Sequence, residues 1–125
     1  MARILLADDD TEQLKLRKML LETAGEDVRA VETPKAAAAE MQSGWPELLI
    51  LDLCIPTARA GLALIRQIRE SGSATPILVM SGWPDELYET PEEKMVTRIL
   101  VKPVPMPDLL ASIREATSAE HPGVS

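Results

Sequence analysis

Aromatic residues are nearly absent from this 125-residue chain, which contains two Trp, one Tyr and no Phe. Its hydrophobic core must therefore be packed almost wholly from aliphatic side chains and Met. A surface on which nucleotide bases stack against aromatic rings is not indicated either. The shortage of aromatic residues thus points away from single-stranded nucleic acids as ligands.

Cysteine is equally scarce, since Cys54 is the one example in the chain. A single Cys excludes an internal disulfide and fits a reducing compartment. No apolar run approaches the roughly 18 residues of a membrane span, and Asp8 interrupts the first apolar stretch, so no signal peptide is indicated. We therefore expect a cytoplasmic protein.

Positive charge is also in deficit, because 13 Lys and Arg face 20 Asp and Glu, for a net charge of −7. A general affinity for nucleic acid or for an anionic membrane is not expected of such a chain. The length suits a single core. We expect one domain over residues 1–118 and a frayed tail over 119–125.

Short apolar runs alternate with helical segments along the whole chain. Runs that are apolar throughout are typical of parallel strands covered by helices on both faces. Pro91 predicts that the fourth helix is short or distorted. The alternation predicts an α/β fold, a doubly wound parallel sheet in the flavodoxin-like order 2-1-3-4-5 with helices on both faces. The predicted strands cover residues 3–7, 28–31, 47–51, 77–80 and 97–101.

Charged and polar residues follow these strands: Asp8 and Asp9 the first, Asp52 the third, Ser81 the fourth and Lys102 the fifth. The carboxyl ends of parallel strands share one edge of the sheet, where sites form in open α/β folds. Two carboxylates about 5 Å apart repel by roughly 3 kcal/mol, so a cation is required, and oxygen ligands suit Mg²⁺. One carboxylate could then attack a phosphoryl donor.

In this order and spacing, the motifs resemble the receiver domain of two-component response regulators over about residues 2–117. The resemblance is carried by Asp8-Asp9, Asp52-Leu53-x-x-Pro56, Ser81-Gly82 and Lys102-Pro103. It implies a signalling module and not an enzyme, with a histidine kinase or phosphotransfer protein as phosphodonor. A downstream protein or a fused output domain would receive the signal, and homodimerisation stays open.

The same resemblance assigns roles to individual residues. It implies that Asp52 accepts the phosphoryl group, and that Lys102 and Ser81 contact the acceptor and the phosphoryl oxygens. It implies Mg²⁺ bound by Asp9 directly, by Asp8 largely through water, by Asp52 and by the backbone carbonyl of Cys54. The Lys102-Pro103 peptide is expected to be cis, which is a minor state of X-Pro bonds in general.

Several positions depart from the family pattern. Ile99 stands where an aromatic residue usually couples to the switch hydroxyl, so output through the usual surface is not expected. Ala60-Gly61 comes one residue later than the usual Asp-Gly, which predicts a longer and less ordered loop after Asp52. Trp83 lies two residues beyond Ser81, where a bulky ring could shield the phosphoryl group from water.

Two other function classes stay open at this point. The Asp8-x-Asp10 pattern superficially fits the start of a Mg²⁺-dependent phosphatase of the haloacid dehalogenase type, although Glu12 replaces its usual Thr. A pseudo-receiver that acts only through protein contacts is the second alternative. That class usually lacks the acceptor aspartate or the lysine, and this chain has both.

Overall fold

Five parallel strands form one sheet in the order β2-β1-β3-β4-β5, which confirms the expected doubly wound topology. The computed structural model describes residues 1–118, so the expected tail at 119–125 lies outside the described residues. Each predicted strand boundary lies within one residue of the observed one. The strands are β1 (Arg3–Ala7), β2 (Asp27–Val31), β3 (Leu48–Asp52), β4 (Ile77–Ser81) and β5 (Arg98–Val101).

Three α-helices connect strands and a fourth follows β5, and side chains in the preceding loops cap the first three. Asp10, Thr33 and Thr57 each accept a hydrogen bond from the backbone amide three residues later, which satisfies one of the free amides of the first turn. In the described residues, no helix is long and apolar enough to cross a membrane. The helices are α1 (Thr11–Thr23), α2 (Pro34–Gln42), α3 (Ala58–Glu70) and α4 (Met106–Ser118).

The segment between β4 and β5 holds two short 3-10 helices, Pro84–Glu86 and Pro91–Met95, in place of a fourth α-helix. A proline begins each of them, and a proline supplies no amide hydrogen to a longer helix. The expectation of a distorted element around Pro91 is therefore confirmed. The predicted cis peptide between Lys102 and Pro103 is also present.

The expected longer, less ordered loop after Asp52 is wrong. Helix α3 already begins at Ala58, because Thr57 caps it, and Gly61 lies inside the helix rather than in the loop. A Cβ atom at Gly61 would clash with the carbonyl oxygen of Leu53, so glycine is what lets α3 approach the end of β3. The Ala60-Gly61 pair is thus a packing feature of the helix and not a loop signal.

Two aliphatic cores lie on opposite faces of the sheet, as the low aromatic content predicts. Within β3, Leu49 and Leu51 belong to the core beneath α2 and α3, whereas Leu48 and Ile50 belong to the core beneath α1 and α4. All four side chains are buried. Strand β3 is consequently held from both sides, and the residue that ends it, Asp52, has a firmly supported backbone.

Candidate functional site

The strand register brings the predicted site residues to one edge of the sheet. Ala7 of β1 pairs with Leu51 of β3, so Asp8 and Asp52 follow at equivalent positions of neighbouring strands. Ser81 pairs with Val101 in the same way, which places Lys102 immediately beyond the end of β5 and beside the end of β4. The backbone amide of Lys102 also donates a hydrogen bond of 2.9 Å to the carbonyl oxygen of Ser81.

Asp52 lies at the centre of this edge with both carboxylate oxygens engaged. The ammonium group of Lys102 contacts Oδ2, and the backbone amide of Cys54 donates to Oδ1 over 3.0 Å. The side chain of Asp52 is 11% exposed and that of Lys102 is 29% exposed. The carboxylate is therefore fixed in direction by two donors while remaining open to solvent along one side.

Asp8 is more deeply buried, and its partner is a residue that the sequence motifs did not indicate. The Nη1 atom of Arg17 lies 3.3 Å from Oδ2, and the backbone amide of Asp10 donates to Oδ1 over 2.9 Å. Sequence reasoning missed Arg17 because it belongs to no family motif. The available signal was its position three residues after Leu14 and four before Leu21, on the buried stripe of α1.

The protonation of Asp8 is affected by its burial and by the charges around it. Burial raises the pKa of Asp8, and the negative charge of Asp52 raises it further. The amide of Asp10 and the charges of Lys102 and Arg17 lower it in part, without cancelling the rise. The carboxylates of Asp8 and Asp52 thus lie at the same edge, and each forms an ion pair with a different cation, Arg17 and Lys102 respectively.

The remaining acidic residues and the hydroxyl have distinct surroundings. Asp9 is exposed, whereas Asp10 caps α1 through a hydrogen bond of 3.1 Å from the amide of Gln13. Ser81 is buried, and its Oγ accepts a hydrogen bond of 3.0 Å from the amide of Trp83. This bond points the hydroxyl of Ser81 into the turn that follows β4.

Trp83, Ile99 and Cys54 lie near this edge in different surroundings. The Trp83 ring is 66% exposed, which argues against a shield over the site in this conformation. Ile99 is half-buried and packs against the core beneath α3. The pKa of the Cys54 thiol is raised by partial burial and by the negative charges of Glu86 and Asp52, so a reactive thiolate is not favoured there.

The donor chemistry of this edge fits Mg²⁺. Asp8, Asp9 and Asp52 offer only oxygen atoms, and their excess negative charge is offset in part by Arg17 and Lys102. Within residues 1–118, no three acidic, His or Cys side chains are already arranged as a complete metal site. The ligands are thus present, but two of them are held in ion pairs.

Comparison with known proteins identifies the chain at the level of sequence. The family model of the response regulator receiver domain matches residues 4–114. The transcriptional regulatory protein TrcR of Mycobacterium tuberculosis is 35% identical over 80 residues, which cover 64% of this chain and 31% of TrcR. The phosphoglycerate transport system transcriptional regulatory protein PgtA of Salmonella typhimurium is 31% identical over 114 residues, which cover 90% of this chain and 27% of PgtA.

Solved structures show the same fold. A response regulator receiver domain protein from Clostridium thermocellum superposes with a TM-score of 0.86 at 21% identity, covering 96% of this chain and 97% of that one. The response regulator TrrA of Thermotoga maritima, solved in complex with Mg(2+)-BeF, has a TM-score of 0.82 at 23% identity, with coverage of 93% and 99%.

The family match and the geometry lead to the same conclusion. The chain spans about a third of the length of the curated regulators that it matches. Receiver domains are generally signalling modules without enzymatic activity, and response regulators take their phosphoryl group from histidine kinases. The chain belongs to the response regulator receiver domain family and is the phosphoacceptor module of a two-component system.

Proposed function

We propose that Asp52 is the residue that accepts the phosphoryl group, from the histidine of a kinase or of a phosphotransfer protein. The observation that carries this assignment is the contact between Lys102 and Asp52 at the adjoining strand ends. Asp52 is also the carboxylate of this edge that combines an oriented oxygen with partial exposure. Transfer forms a bond from a carboxylate oxygen to phosphorus as the bond from phosphorus to the donor nitrogen breaks.

The neighbouring residues prepare and read this transfer. Lys102 holds the carboxylate before transfer and neutralises the added negative charge afterwards. The hydroxyl of Ser81 exchanges its hydrogen bond from the amide of Trp83 for one to a phosphoryl oxygen, with Ser81 now donating. Because Ser81 ends β4, this movement shifts the start of the 3-10 segment at Pro84–Glu86.

Asp8, Asp9 and Asp52, with the backbone carbonyl of Cys54, are the residues that would hold Mg²⁺. The ion would supply positive charge against the phosphoryl oxygens. Asp9 is exposed and free of the cap role that Asp10 performs, which supports its assignment as a direct ligand. The receiver then acts in the cytoplasm on a downstream protein or a fused output domain.

The geometry weighs against the haloacid dehalogenase alternative. That function would use Asp8 as the nucleophile, yet both oxygens of Asp8 are engaged and its side chain is 3% exposed. The second aspartate of the pattern, Asp10, is committed to capping α1. The pseudo-receiver alternative is weakened by the intact pair of Asp52 and Lys102.

Labelling with acetyl phosphate and Mg²⁺, read by intact-mass spectrometry, tests the assignment. The wild-type chain is expected to gain one phosphoryl group, and Asp52→Asn is expected to gain none. Asp10→Asn is the matched control, because Asn also caps helices and should leave labelling unchanged. Labelling lost in Asp10→Asn but retained in Asp52→Asn would favour the phosphatase, and labelling of Asp52→Asn at wild-type level would refute the acceptor role.

A further inference from the structure

We infer that Arg17 competes with Mg²⁺ for the carboxylate of Asp8. Arg17 occupies this carboxylate in the resting state and must leave it when the ion binds. Arg17 would thereby set the metal affinity of the receiver. The inference rests on the proposed function, because it takes Asp8 to be part of the metal site. It goes further in assigning a regulatory role to a residue outside the family motifs.

The burial of the ion pair separates it from ordinary surface pairs. The side chains of Arg17 and Asp8 are 16% and 3% exposed. In residues 1–118, every other ion pair except that of Lys102 and Asp52 has at least one partner that is about half exposed. Exposed pairs contribute little, whereas a partly buried carboxylate depends on its cation. Both protected ion pairs therefore lie at the candidate metal site.

The position of Arg17 on α1 explains how the guanidinium reaches Asp8. Leu14 and Leu21 lie on the same stripe of the helix and are buried in the core. An apolar residue would be ordinary at this position. Side chains of a helix lean toward its N-terminus, and Asp8 lies just before that end, so the guanidinium of Arg17 extends over the carboxylate.

Arg17 and a metal ion would compete for the same side of the Asp8 carboxylate. The guanidinium takes Oδ2 of Asp8, while Oδ1 accepts the amide of Asp10. An ion held by Asp8 through a bound water at Oδ2 would need the space that the guanidinium now fills, and it would bring a second positive charge close to Arg17, which repels it. Binding of the ion is therefore expected to displace Arg17 from Oδ2.

A path for the released side chain is present. The Nη2 atom of Arg17 already lies 3.5 Å from Oε1 of Gln13, one turn nearer the start of α1. Arg17 also lines an open groove that is bordered by Leu16 and Val104. The aliphatic stem can stay in this groove while the guanidinium turns to solvent. Displacement thus needs rotation of one side chain and no change of fold.

Isothermal titration calorimetry of Mg²⁺ binding, in alkaline buffer with monovalent salt held constant, tests the inference. Arg17→Gln and Arg17→Met remove the competing charge and are expected to bind Mg²⁺ about tenfold more tightly than the wild type. Met also suits the apolar stripe, so it provides a folded variant if Gln does not. Arg17→Lys retains a cation and is expected to stay near the wild-type affinity.

The control for general charge effects is Lys18→Gln. Lys18 forms an exposed pair with Glu22 on the outer side of α1, so its removal changes the net charge by the same amount. Its affinity for Mg²⁺ is expected to stay within about twofold of the wild type. Equal tightening in Lys18→Gln and Arg17→Gln would reduce the effect to net charge and overturn the inference.

The remaining outcomes distinguish this inference from the function beneath it. If the wild type binds Mg²⁺ and both neutral Arg17 variants bind it equally or more weakly, Arg17 is not a competitor, and the receiver assignment stands. If neither the wild type nor any variant binds Mg²⁺, and acetyl phosphate does not label Asp52, the proposed function fails and the role of Arg17 fails with it.

Discussion

At the scale of single residues, the three carboxylates of the site differ in how their charges are compensated. Asp8 faces Arg17 and Asp52 faces Lys102, whereas Asp9 is exposed beside them. Without a metal ion, Asp9 adds repulsion to an edge that already holds two carboxylates. Removal of the Asp9 charge should therefore reduce this repulsion, and it leaves both Arg17 and Lys102 with their partners.

We expect Asp9→Asn to raise the melting temperature under chelation, because it removes repulsion between carboxylates. The rise should be only about 1 to 3 °C, since solvent screens an exposed charge. Differential scanning calorimetry in EDTA measures the change. Asp27→Asn, at an exposed strand start away from the site, is the control and should leave the melting temperature almost unchanged. A lower melting temperature for Asp9→Asn would contradict the account of uncompensated charge.

At the scale of elements, the 3-10 segment between β4 and β5 depends on one side chain of α3. Arg69 donates from Nε to the carbonyl oxygen of Met95 over 2.8 Å, and from Nη1 to those of Ser73 and Thr75 over 3.1 and 2.7 Å. Partial burial lowers the pKa of Arg69, because removal from water disfavours the charged guanidinium. Arg69 thus ties the end of the second 3-10 helix to the start of β4.

Arg69→Met is expected to destabilise the protein by about 2 to 3 kcal/mol, since it leaves carbonyl groups without a charged donor. Urea denaturation gives the magnitude, and hydrogen exchange of residues 91–97 should accelerate ahead of the rest. Arg59→Met, at an exposed position in the first turn of α3, is the control and should cost less than about 0.5 kcal/mol. Equal losses in the two variants would rule out a specific tie.

The elements also show where sequence reasoning is sufficient and where it is not. Apolar strands that end in charged residues predicted both the topology and the shared edge. The apolar pattern of each strand can be recognised from its own residues, and parallel strands all end at the same edge of the sheet. The start of α3 was not predicted, since the need for Gly61 arises from its approach to Leu53. Arg17 was missed for the same reason, because only the packed α1 brings it to Asp8.

At the scale of the whole molecule, the sheet joins two cores that share no side chains, although every strand contributes residues to both. Neighbouring residues of β3 point alternately into the two cores, so Leu49 packs beneath α3 while Ile50 packs beneath α1. A loss of packing on either face disturbs the same backbone, and the carboxylate of Asp52 lies at its end. The position of the Asp52 carboxylate therefore depends on the packing of both cores.

This coupling predicts one cooperative unfolding transition for residues 1–118. Leu49→Ala and Ile50→Ala are each expected to cost about 2 to 5 kcal/mol, despite facing opposite cores, and to keep a ratio of calorimetric to van't Hoff enthalpy near one. Leu16→Ala, at an exposed position of α1, is the control and should change stability by less than about 0.5 kcal/mol. A second transition in either core variant would mean that the two faces unfold separately, and Asp52 would then keep its acceptor geometry when the core beneath α1 and α4 is weakened.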